Sequence, residues 1–69
     1  MATIRFSKDV RGTDRRVVVA QTVEGFYFVA TRFDDGALVS DEVAFTRYLT
    51  AAGAALVEWE RQTAAELPR

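Results

Sequence analysis

Apolar positions in the C-terminal third recur with a helical period. Phe45, Leu49, Ala52, Leu56, Trp59 and Thr63 follow at spacings of four, three, four, three and four, the period of one face of a helix. Tyr48 and Ala55 widen that stripe toward the face of a core-packed helix. Ser40 suits an N-cap, Asp41 and Glu42 suit the first turn, and Pro68 ends the pattern. The spacing therefore predicts one helix over Asp41 to Leu67, rich in alanine. Gly53 is its one poor helix former. It marks either a break into two helices or, with Ala51, Ala52, Ala54 and Ala55, a collar of small side chains where another backbone approaches closely.

The first forty residues alternate instead with period two. Ala2 to Ser7 reads as a short strand with Ile4 and Phe6 on one face. Val17 to Val23 is a β-branched strand, and Phe26 to Phe33 returns from it. Glu24-Gly25 suits a two-residue hairpin turn, which pairs Val23 with Phe26, Gln21 with Phe28, Val19 with Ala30 and Val17 with Arg32. Val17, Val19, Val23, Phe26 and Phe28 then form the expected core face. Val18, Ala20, Thr22, Tyr27, Val29, Thr31 and Phe33 form the other, which is apolar for a solvated surface. Asp34-Asp35-Gly36 is a turn signal, and Ala37 to Val39 is a possible fourth strand. The expected fold class is α+β: a three- to four-stranded antiparallel sheet followed by one long C-terminal helix packed on one face, as one domain over residues 1–69.

Length makes association part of this picture. A helix of 27 residues is about 40 Å long, whereas seven-residue strands span about 23 Å. Part of the stripe is then uncovered in a single chain. The expected homodimer interface is Leu49, Ala52, Gly53, Leu56 and Trp59. A chain of 69 residues buries only about 60% of its unfolded surface. It has no Cys and no His to supply a disulfide or a zinc site. Oligomerisation is the remaining support. Zero Cys is compatible with a reducing cytosol, and no apolar run approaches the ~18 residues of a membrane span. The expectation is a cytoplasmic protein with no membrane partner.

Residue types also bound the chemistry. Nucleophilic catalysis usually sets Ser or Cys beside His; His and Cys are absent, and Ser40 reads as a cap. Asp34, Asp35, Asp41 and Glu42 fit a turn and a helix start better than a Ca²⁺ loop. No enzyme and no cofactor are expected. The net charge of −1 conceals an asymmetry. Residues 1–33 hold six basic and three acidic side chains, and residues 34–69 hold three and seven. Lys8, Arg11, Arg15, Arg16 and Arg32, with Tyr27, are the candidate contacts for nucleic acid or another anion. The pI near 5.2 opposes that use.

Two resemblances follow from these residues. Ile4-Arg5-Phe6, the strand pair around Gly25 and the Ala44-Phe45 helix resemble a family of short bacterial proteins of unknown function. Strands followed by one long dimerising helix are also similar in layout to the PC4-like single-stranded-DNA-binding fold. That likeness implies strands that hold nucleic acid and helices that pair. Two functions are therefore expected in turn. The first is a small non-catalytic dimeric interaction or regulatory module with a possible protein partner; the second is a single-stranded nucleic-acid binder.

Overall fold

The computed structural model describes residues 2–40 and 43–66. Four strands and one helix follow in order: β1 (Thr3–Asp9), β2 (Arg15–Gln21), β3 (Tyr27–Phe33), β4 (Leu38–Ser40) and α1 (Tyr48–Glu66). The strands form one antiparallel sheet in the order β1-β2-β3-β4, so every connection is between neighbours. The α+β class and the C-terminal helix agree with the sequence pattern.

The β2–β3 hairpin is one residue out of the expected register. Ala20, not Gln21, faces Phe28, and Val19 faces Val29. The connection is a three-residue loop. The Gly25 N–H donates to the Thr22 carbonyl at 3.0 Å, and the Thr22 N–H donates to the Phe26 carbonyl at 2.9 Å. A two-residue type I′ turn at Glu24-Gly25 would force Glu24 to positive φ. The longer loop asks this only of Gly25, at φ 96°. The same construction recurs from Phe33 to Ala37, with Gly36 at φ 92°.

Because side chains alternate, a one-residue slip exchanges the two faces of β3. Val17 and Val19 face the helix as expected, but their β3 partners are Tyr27, Val29, Thr31 and Phe33. Val23 and Phe26 lie outside the core, in an exposed loop. Phe28 turns to the distal face, in the row Ile4–Ala20–Phe28. Val10, Val17, Val19, Val29, Ala51 and Ala55 form the core, with Phe6, Tyr27, Phe45, Tyr48, Ala54 and Trp59 packed around them. Among the described residues no second layer covers the distal face. Even so, Val18 is 0% exposed there, and Ala20 and Ala30 are buried. Residues from both edges, Ile4 of β1 and Leu38 of β4, line one concavity with Ala2, Arg32 and Gly36.

The helix starts seven residues later than the pattern predicts. Ser40 ends β4, paired with Ala30, and so lies eight residues before the first residue of the helix rather than at its cap. Phe45 then returns to the β3 edge, where Tyr27 and Phe45 exchange both backbone hydrogen bonds at 2.8 Å. This pairing occupies backbone groups of Tyr27 that an edge would leave open, and it keeps the chain extended past Val43. Asp41, Glu42, Leu67 and Pro68, to which the start and stop signals were attached, lie outside the described residues. The helix is continuous through Gly53, so the break does not occur. Its 19 residues make it about 28 Å long. The excess over the strands is small, and helix length is no longer the reason to expect association.

The buried stripe is rotated as well. Ala51, Ala55 and Gln62 face the sheet, flanked by Tyr48 and Trp59. Leu49 and Leu56, expected among the inward residues, are 80% and 41% exposed. Valines on β2 and β3 already fill the interlayer space, so the helix approaches on its alanines.

Candidate functional site

Two surfaces contain the residues singled out in the sequence. The first is the sheet end beside the β1–β2 turn. The Val10 N–H donates to the Arg15 carbonyl at 3.0 Å, and the Thr13 hydroxyl donates to the Val10 carbonyl at 2.7 Å. This turn is tied to the β3–β4 turn by the Asp34 N–H, which donates to the Asp14 carbonyl at 3.0 Å. A concavity of about 610 Å³ results, and Lys8, Arg11, Arg15 and Arg16 all line it with Trp59. Arg16 and Arg32 face each other across β2 and β3 and line a smaller concavity of about 180 Å³.

The structure therefore brings five of the six candidate anion contacts to one end of the sheet. Tyr27 lies apart. It packs edge-on against Tyr48 at 5.7 Å between ring centres, and its hydroxyl accepts from Gln21 Nε2 at 3.2 Å. The cations also have acidic neighbours. Arg15 pairs with Glu66 at 2.6 Å, and Arg16 pairs with Asp9 at 3.2 Å. Asp34 lines both concavities, and Asp14 and Asp35 belong to the two turns. Five cations thus stand among Asp9, Asp14, Asp34, Asp35 and Glu66. The local charge is balanced rather than strongly positive.

Trp59 belongs to this end. Its indole N–H donates to the Asp9 carbonyl at 2.7 Å, and Lys8 Nζ stands 4.5 Å from its ring centre. Both contacts pin the helix to the β1–β2 turn, and the ammonium occupies a ring face that a base would need for stacking. A Trp on a helical stripe gives no sequence sign of such a contact, because the lysine lies 51 positions away.

The second surface is the outward side of α1. Four of the five expected interface residues, Leu49, Ala52, Gly53 and Leu56, follow one another along it, and Val57, which is 68% exposed, extends it. A Cβ built at Gly53 meets no atom within 4 Å. Glu60 continues the row and is exposed. Trp59 turns from this row toward the sheet. The sheet offers less to a partner. Its β4 edge is only three residues long, and β1 is interrupted by a bulge between Ile4 and Phe6 and carries Arg5 and Lys8, devices that discourage edge pairing.

One buried polar residue lies between the two surfaces. Gln62, 9% exposed, donates from Nε2 to Thr31 Oγ1 at 2.9 Å and to Glu58 Oε2 at 2.7 Å. Its Oε1 has no partner among the described residues. The Arg61 hydrogen bond, opposed by partial burial and aided by Gln62, holds the Glu58 carboxyl below the usual carboxylate range. Among the described residues, no group of three or more His, Cys, Asp or Glu is disposed to hold a metal ion. No helix among them is long and apolar enough to cross a membrane. Comparison with known families, curated proteins and solved structures finds no match.

Proposed function

We propose that this chain is a non-catalytic interaction module that works by self-association, using the outward face of α1. The observation that carries this reading is the row Leu49, Ala52, Gly53, Leu56 and Val57. It sets three large apolar side chains in solvent around an open glycine. Exposed apolar patches of this kind mark interfaces.

Light scattering at micromolar concentration tests the proposal. The expected mass is twice that of one chain, and Leu49→Glu with Leu56→Glu returns it to one while circular dichroism is unchanged. A wild-type mass of one chain would overturn it. The weaker reading is single-stranded nucleic-acid binding at the sheet end. It is supported by the gathering of Lys8, Arg11, Arg15, Arg16 and Arg32, and opposed by their acidic neighbours and the covered Trp59 ring. A gain of mass with an oligonucleotide at low salt, reversed at high salt, would favour it.

A further inference from the structure

Resting on that self-association, we infer that the partner is a second copy laid antiparallel, with its helix crossing this one at Ala52 and Gly53. The seam residues are nearly symmetric about that point. Leu49 and Leu56 stand equally far on either side of it. An antiparallel pairing therefore sets Ala52 against Gly53 of the second copy, between two layers of Leu49 against Leu56. The open side of Gly53 lets the two backbones approach most closely at the centre.

Charge decides the direction. Glu60 lies on the same row, one turn beyond Leu56. A parallel pair would oppose Glu60 to Glu60 of the second copy across an apolar seam, and like charges there repel. The antiparallel pair carries Glu60 to the second copy's residues 45 and 46, just before the start of its helix. That terminus has no acidic residue in its first turn. Among the described residues no side chain accepts from the amides of its first turn, and its first helical bond, from the Ala51 N–H, goes to the Arg47 carbonyl. Carboxylates are favoured at such a positive helix end. Each copy would thus supply an acidic partner that the first turn of the other's helix does not itself contain.

The absence of Cys makes the geometry directly testable. Leu49→Cys and Leu56→Cys chains are prepared separately, mixed and oxidised under mild conditions. Antiparallel pairing predicts that the mixed disulfide exceeds both like-with-like disulfides by several-fold. Like-with-like products in excess would overturn the arrangement while leaving self-association intact. Glu60→Gln supplies a second measurement that needs no cross-link. Antiparallel pairing predicts a several-fold weaker dimer, because the helix end loses its carboxylate. A tighter dimer would indicate a parallel pair and overturn the inference. A wild-type mass of one chain would overturn this arrangement together with the reading on which it rests.

Discussion

The inward face of α1 carries Ala51, Ala55 and Gln62, while its outward face carries Leu49, Leu56 and Val57. At the centre of each face size therefore runs opposite to the usual order: alanines and Gln62 meet the sheet, flanked by Tyr48 and Trp59, while two leucines and a valine stand in solvent. The inward face is explained by its neighbours. Val17, Val19 and Val29 supply the bulk of the core, and a helix that meets a valine-covered sheet packs most closely through alanine. Nothing among the described residues covers the outward face. Burying a leucine stabilises by about 1.5–3 kcal/mol, and two leucines and a valine forgo much of that while the chain is alone. The contrast teaches that hydrophobic period locates a helix, but side-chain volume on the facing layer selects which stripe enters.

The most severe way to break this comparison is to exchange the sizes. Ala55→Leu forces extra volume between α1 and the valines of β2 and β3. It should cost about 1–3 kcal/mol or more, lowering the thermal midpoint by about 4–8 °C for each kcal/mol. Leu49→Ala, on the outward face, should change the stability of the single chain by less than about 0.5 kcal/mol and should weaken association instead. Thermal unfolding at nanomolar and micromolar concentrations separates the two. An Ala55→Leu chain as stable as the wild type would mean that α1 is not seated on its alanines.

Trp59 sharpens the boundary between the faces, since it turns from the apolar row to clamp the β1–β2 turn. Trp59→Phe removes the bond to the Asp9 carbonyl and weakens the Lys8 contact. A loss of about 1 kcal/mol is expected, read as a lower urea midpoint with the mass in solution unchanged from the wild type. Gly53→Ala should act with opposite signs on the two properties. Beyond its own stretch of helix the added methyl meets no described atom within 4 Å, so helix propensity should raise the stability of the chain by about 0.5–1 kcal/mol. The same methyl obstructs the closest point of the proposed crossing and should weaken the dimer. A dimer that tightens would place the contact elsewhere on the helix.

Much of this architecture was legible in the sequence because period two and period 3.6 are consequences of backbone geometry alone. The strands and the single late helix follow from them, and the short turns between strands imply an antiparallel sheet, but the order of the strands did not follow. Register was not legible. A slip of one residue at Gly25 depends on whether Glu24 must adopt positive φ, and both turns satisfy the same glycine. The helix start was not legible either. Ser40, Asp41 and Glu42 are good capping residues, yet the backbone of Tyr27 offered Phe45 a pair of hydrogen bonds that local propensity cannot register. At the surfaces, the basic residues converge because neighbouring turns meet at one sheet end. Of their acidic neighbours, Asp9 and Asp14 adjoin Lys8 and Arg15 in the sequence, whereas Glu66 reaches Arg15 from 51 positions away. Of the residues named for an interface, Leu49, Ala52, Gly53 and Leu56 share an outward row, while Trp59 leaves it for the sheet. The rotation that exposes them depends on the bulk of β2 and β3, which no helical pattern contains.

The smallest effect tests the polar flank of the inward face. Glu58 reaches between Arg61 and Gln62, and its carboxyl is held below the usual carboxylate range first by the Arg61 hydrogen bond. A carboxyl depressed in the folded state stabilises that state above its unfolded pKa, about 4.3 for glutamate. The contribution is lost as the pH falls through the folded value. Because Arg61 stands largely in solvent, the pair should be worth only about 0.3–0.5 kcal/mol. Glu58→Gln should lose that amount at pH 7, and its deficit relative to the wild type should shrink as the pH is lowered past 4. Urea midpoints at pH 7 and pH 3 measure the difference. A deficit that persists unchanged at pH 3 would mean that the carboxylate charge is not what Glu58 contributes, leaving its neutral hydrogen bond to Gln62 as the part that orders this flank.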